Sequence, residues 1–265
     1  MFSIIALYSL VGGVAGVLAG LLGVGGGLVI VPMLVFCLAQ QGMQPETIMH
    51  IALGTSMASI IFTSISSFMA HHRRGAVDWT IVRNVTLGIL IGTYGGSILA
   101  AHLSASFLKG FFVVFLYYVS FQMFTGKKPK PARTMPGKPG MFAAGGVIGG
   151  VSSLVGIGGG TLSVPFMLWG NVPVHRAIGT SAAIGFPIAL AGCAGYIVNG
   201  LHATGLPEYS LGYVYLPALI GIVAVSMLTA PLGVRLAHRL PVDKLKRVFS
   251  VLLFLVGTRM LVSIL

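Results

Sequence analysis

Long apolar runs separated by short polar breaks dominate the chain. Ten runs can be read, over about 3–22, 28–40, 48–70, 79–101, 106–125, 140–156, 160–170, 176–198, 211–234 and 245–264. About 20 apolar residues are needed for a helix to cross a hydrocarbon layer of about 30 Å. The runs 48–70, 79–101, 106–125, 176–198, 211–234 and 245–264 meet that length, while 28–40 and 160–170 are too short to cross alone. Each short run follows a longer one across a cluster of glycines. The pairs 3–22/28–40 and 140–156/160–170 therefore predict a broken helix or a re-entrant hairpin that returns the chain to the side it came from. The expected fold class is an all-α polytopic membrane protein with about 8–10 membrane segments, since in lipid a helix satisfies its own backbone.

The same pattern occurs twice. Gly23-Val24-Gly25-Gly26-Gly27 recurs 133 positions later as Gly156-Ile157-Gly158-Gly159-Gly160, and each is followed five residues on by a proline, Pro32 and Pro165. Leu53-Gly54-Thr55-Ser56 matches Ile178-Gly179-Thr180-Ser181, Ala101-His102 matches Ala237-His238, and Leu108-Lys109 matches Leu245-Lys246. The expected organisation is a first membrane repeat over 1–125, a basic linker over 126–139 and a second repeat over 140–265. Each repeat is a broken or re-entrant pair plus three crossings, so the two insert in opposite directions. Helix breaks at matching points of two halves are the sequence sign of a secondary transporter.

Composition supports a lipid environment. The chain is 56% apolar and 8% charged, with a mean hydropathy of +0.98, against about a quarter charged in soluble domains. The net charge of +12 does not indicate nucleic acid, because the basic residues lie in short loops beside apolar runs. It sets orientation instead. With the linker (Lys127, Lys128, Lys130, Arg133, Lys138) in the cytoplasm, Arg73, Arg74, Arg83, Arg176, Arg235, Arg239, Lys244, Lys246 and Arg247 also fall inside. Of the 16 lysines and arginines, only Lys109 and Arg259 fall outside. The expectation is a multi-pass protein of the cell (inner) membrane with both termini outside. No Lys or Arg precedes the first run, which predicts a retained helix rather than a cleaved signal. Cys37 and Cys193 lie in apolar runs and read as packing residues.

Three adjacent glycines at depth permit a tight turn and leave backbone N–H groups free at the start of the next helix. Those groups and the helix dipole hold an anion without a basic side chain. The candidate substrate-binding residues are Gly25, Gly26, Gly27, Gly158, Gly159 and Gly160, with Thr55, Ser56, Thr161, Thr180 and Ser181. The paired Thr-Ser hydroxyls have two readings: they cap the helices they begin, or they donate to an oxyanion and lend oxygens to sodium. Two ridges, Gly12/Gly16/Gly20 and Gly88/Gly92/Gly96, read as helix contacts. The clusters lack the Lys-Ser/Thr ending of a phosphate loop. Glu46, Asp78, Glu208 and Asp243 all lie in loops or at helix ends, which disfavours a buried carboxylate relay. Any coupling ion is then sodium, or a proton carried on the substrate. The histidines are also terminal and read mostly as interfacial. No metal site, cofactor or catalytic set is expected, and a scaffold would not need duplicated breaks. Arg259, near the end of the last run, snorkels to the headgroups or attracts anions.

Gly-Val-Gly-Gly-Gly followed by Val31-Pro32, its second copy ending Val164-Pro165, and the paired Gly-Thr-Ser motifs resemble the TauE/SafE family of sulfite exporters over nearly the whole chain. The resemblance implies a secondary transporter of small sulfur-containing anions, sulfite or an organosulfonate such as sulfoacetate, exported by alternating access. A passive anion channel and an uptake carrier for a sulfur oxyanion are the alternatives. Which anion, the direction and the oligomeric state stay open at this point.

Overall fold

The computed structural model describes residues 2–23, 25–126, 134–237 and 242–263. Val24, the basic stretch 127–133 of the expected linker, and His238 and Arg239 lie outside the described residues. Ten helices carry the described chain: α1 (Phe2–Leu22), α2 (Gly27–Gln40), α3 (Pro45–His72), α4 (Trp79–His102), α5 (Ala105–Thr125), α6 (Lys138–Val155), α7 (Gly160–Trp169), α8 (Val174–Gly200), α9 (Leu216–Ala237) and α10 (Val242–Val262). Five of them, α3, α4, α5, α8 and α9, are long and apolar enough to cross a membrane. The chain is thus an all-α polytopic membrane protein, except for a two-stranded antiparallel hairpin, β1 (Ser210–Leu211) and β2 (Val214–Tyr215), between α8 and α9.

Local chemistry sets the helix ends. Pro45 occupies the first turn of α3 with Glu46 beside it, where a missing N–H is harmless and a negative charge suits the dipole. Asp78 caps α4 by accepting from the N–H groups of Thr80 and Ile81. Ser104 caps α5 through the N–H of Phe107. The early start of α3 overturns one expectation. Thr55-Ser56 does not begin its helix but lies well inside α3, and Thr180-Ser181 likewise lies inside α8.

The glycine ridges pack as expected. A side chain at Gly12, Gly16 or Gly20 would strike the α9 backbone at Ile222, Ser226 or Ala230. One at Gly88 or Gly92 would strike α6 at Phe142 or Gly146, and one at Gly96 would meet Ser153 and the Gly150 carbonyl. α1 therefore lies closely along α9, and α6 along α4, both pairs parallel. α3 and α8, the most buried of the long helices, pack on each other at the centre, and α5 pairs with α10. Cys37 and Cys193 are free and buried. His50 and His71 correct the interfacial reading, since both are buried. His50 Nε2 lies 3.1 Å from the carbonyls of Ala100 and Leu103, and His71 Nε2 lies 3.0 Å from that of Gly20.

Candidate functional site

Both glycine clusters interrupt helices, and they meet. α1 ends at Gly23 (φ 68°) and α6 at Gly156 (φ 69°), while α2 and α7 begin after Gly26 (φ 82°) and Gly159 (φ 75°). Only glycine holds these left-handed positions without strain. A Cβ at Gly27 would overlap the Gly156 carbonyl, and one at Gly25 would come within 3.1 Å of Gly158 Cα. The two breaks thus pack backbone to backbone.

The three residues of each Gly-Thr-Ser motif perform separate tasks, and each task is repeated with the halves exchanged. A Cβ at Gly54 would press on the Tyr213 carbonyl, and one at Gly179 on that of Ala76. Thr55 Oγ1 accepts from the N–H of Tyr215 (2.9 Å), just before α9, and Thr180 Oγ1 accepts from that of Asp78 (2.8 Å), just before α4. Ser56 Oγ donates to the Gly156 carbonyl (2.7 Å), and Ser181 Oγ to the Gly23 carbonyl (3.0 Å). A further contact repeats within each half: His71 Nε2 lies at the Gly20 carbonyl, and at the equivalent place the Tyr196 hydroxyl donates to the Ser153 carbonyl (2.9 Å). The hydroxyls therefore cap loops and helix ends of the other half rather than their own helices.

The surroundings of the two clusters differ. Beside the first lies a crevice too tight to hold a water, lined by Gly23, Gly25, Ser64, Ser67 and Gly185 among others. Ser67 belongs to a buried polar stripe on α3 comprising Ser56, Ser59, Thr63, Ser67 and His71. At the second cluster two hydroxyls, those of Ser152 (0% exposed) and Thr161 (4% exposed), meet no hydrogen-bond partner. Ser152 Oγ lies 3.3 Å from where a Cβ on Gly159 would stand, so it faces the start of α7. No side chain caps α7 or α2. Pro165 cannot donate to the Thr161 carbonyl four residues back, which frees a backbone oxygen there too. Ser152, Ser64, Ser67 and Pro187, which sits inside the continuous α8, were not among the sequence-derived candidates. In the repeat register Ser152 aligns with Ala19, so no duplication flags it.

Outside the helices, burial pushes the Tyr213 and Tyr215 phenols above their ordinary range. Both stay neutral, and Tyr213 stacks on His50 with ring centroids 5.1 Å apart. Among the described residues no group of His, Cys, Asp or Glu is placed to hold a metal ion.

Helices broken face to face at the centre of an apolar bundle define a polytopic membrane protein with a backbone-lined interior. The family model of the Sulfite exporter TauE/SafE matches residues 8–260, and the chain belongs to that family. It is similar to a protein of Haemophilus influenzae named "Probable membrane transporter protein", 39% identical over 98% of this chain and 99% of the relative. Relatives of the same description in Methanocaldococcus jannaschii (26% identical, 97% and 96% covered) and Bacillus subtilis (YunE, 28% identical, 94% and 94% covered) extend the likeness. No solved structure matches. Family and relatives together indicate a membrane transporter.

Proposed function

We propose that the protein exports a small sulfur oxyanion, such as sulfite or sulfoacetate, by alternating access, and binds it at the start of α7. The observation that carries this reading is the coincidence of an uncapped helix N-terminus with the two buried, unpartnered hydroxyls of Ser152 and Thr161. Free N–H groups and the two O–H donors lie about that helix start, where an anion would accept from them. Gly158, Gly159 and Gly160 add no side chain there, and Ile188, whose Cδ1 packs against Gly159, would move aside for the anion. Gly25, Gly26 and Gly27 form the facing wall, and the α3 hydroxyl stripe leads toward it. In this closed arrangement Thr55, Ser56, Thr180 and Ser181 tie the halves together, and they exchange partners as the site opens.

The reciprocal bonds support two inverted repeats, 1–125 and 140–265, joined by a cytoplasmic linker over 126–139, with both termini outside the cell (inner) membrane. The halves rock about the contact of the clusters. A coupling sodium ion would find oxygens at Thr161, whose carbonyl Pro165 leaves free; a proton would travel on the substrate.

Liposomes reconstituted with the protein and loaded with sulfite test the reading. Release is expected to saturate with internal sulfite and to rise when the interior is made negative, the driving force growing by about 2.3 kcal/mol per charge per 100 mV. A flux proportional to concentration without saturation indicates a channel instead. Net uptake against the expected direction indicates the uptake carrier. Absence of flux for both sulfite and sulfoacetate overturns the proposal.

A further inference from the structure

The second cavity of interest lies away from the glycine clusters. α5 and α10 run antiparallel: Lys109 Nζ donates to the Ser263 carbonyl (3.2 Å), Tyr117 and Thr258 share a hydroxyl bond (3.1 Å), and Ser120 Oγ donates to the Ser250 carbonyl (2.8 Å). The start of α5 therefore meets the end of α10. Lys109 and Arg259 line one cavity there of about 240 Å³, walled on the third side by Pro32, Met33 and Phe36 of α2. The Arg259 guanidinium lies 4.3 Å from the centre of the Phe36 ring, a cation–π contact that holds the charge at the cleft wall. Among the described residues no acidic side chain lines the cavity. The ion pair between Arg176 and Asp78 is elsewhere, and the Arg259 guanidinium makes no hydrogen bond among the described residues.

Two cations sharing a partly apolar cleft repel each other and are costly without a counter-charge. In the register that aligns Lys109 with Lys246, Arg259 aligns with Gln122, so the guanidinium is specific to this end of the molecule. Phe36 is nine residues beyond Gly27, about 14 Å along α2 at 1.5 Å per residue. Pro32, its nearest wall residue, is five residues beyond Gly27, about 8 Å, so the cleft begins more than a turn past the glycine cluster.

We propose that Lys109 and Arg259 clamp an oxyanion head group, phosphoryl or sulfonyl, at the shared end of α5 and α10. The ammonium supplies a point charge, and the guanidinium supplies paired N–H donors that match two oxygens of the group. Such a group has two sources: the phosphate of an anionic lipid at the membrane boundary, or a free sulfur oxyanion. The second source rests on the proposed transport function; the first does not.

The test uses the full-length protein in phosphatidylcholine nanodiscs, as wild type, Lys109→Gln, Arg259→Gln and Arg259→Lys, with phosphatidylglycerol and sulfite as probes. Phosphatidylglycerol retention is counted by native mass spectrometry and sulfite binding by calorimetry. The sulfite arm is repeated in a Ser152→Ala/Thr161→Val background, where the α7 site is disabled. Saturable binding of at least one probe is expected, weakened about 10- to 100-fold by each Gln variant and partly retained by Arg259→Lys. Loss confined to the lipid arm assigns a lipid clamp; loss confined to the sulfite arm assigns a solute station. Arg259 is exposed, so Arg259→Gln keeps the fold, as an unchanged melting temperature verifies. Both Gln variants binding both probes like wild type, or wild type binding neither, overturns the clamp. Failure of the transport reading alone leaves the lipid arm intact.

Discussion

The hydroxyls of Ser56 and Ser181 show how single atoms close this protein. Each satisfies one carbonyl at a helix end where no backbone donor is available. Removing either leaves a buried oxygen unpaired, at a cost of about 1–3 kcal/mol. Ser56→Ala and Ser181→Ala are therefore each expected to lower the melting temperature of purified protein, while Ser152→Ala, which removes an already unpartnered hydroxyl, is expected to leave it unchanged or raise it. Equal loss in all three would contradict the assignment of partners. The glycine clusters and the Gly-Thr-Ser motifs were legible in the chain because they repeat. What their hydroxyls bond was not, since Ser56 finds its acceptor one hundred positions away and nothing local points there. Ser152 was illegible for the opposite reason: its counterpart, Ala19, carries no hydroxyl, and a reading built on duplication passes over what is not duplicated.

At the scale of helices, apolar length alone located all ten elements within a few residues. The boundaries moved where caps decided them. Pro45 and Glu46 start α3 ahead of its apolar run, and that shift carries Thr55 and Ser56 from a helix start to a helix interior. The hairpin before α9 was not foreseen, because two strands of two residues leave no periodic signal. Its carbonyl at Tyr213 nonetheless explains why position 54 is glycine. The ridges of small residues needed no structure to interpret, since four-residue spacing places them on one helix face. The partners of the ridges, α9 for α1 and α6 for α4, came only from the fold.

For the whole molecule, charge and exchange of contacts point the same way. The basic residues crowd on one side of the sequence-derived topology, and equivalent residues of the two halves bond reciprocally; the proposed opposite insertion of the halves is open to direct test. Cysteine labelling in a background lacking Cys37 and Cys193 tests it. Glu208→Cys, in the loop before the hairpin, is expected to react with an impermeant maleimide added to intact cells. Thr134→Cys, within the linker, is expected to react only after the membrane is opened. Both sites are exposed, so reaction of both from the same side would rule out opposite insertion.

The start of α7 is the point on which the proposed function turns, and heat stability measures it directly. Saturating sulfite is expected to raise the melting temperature of the wild-type protein, since a ligand at 100 times its Kd stabilises by about 2.7 kcal/mol. Ser152→Ala/Thr161→Val, read in the Arg259→Gln background to silence the α10 cleft, is expected to fold with equal or greater stability and to lose that rise. A rise of undiminished size in the variant, or none in the wild type with sulfite or sulfoacetate, would contradict an oxyanion site at this helix end.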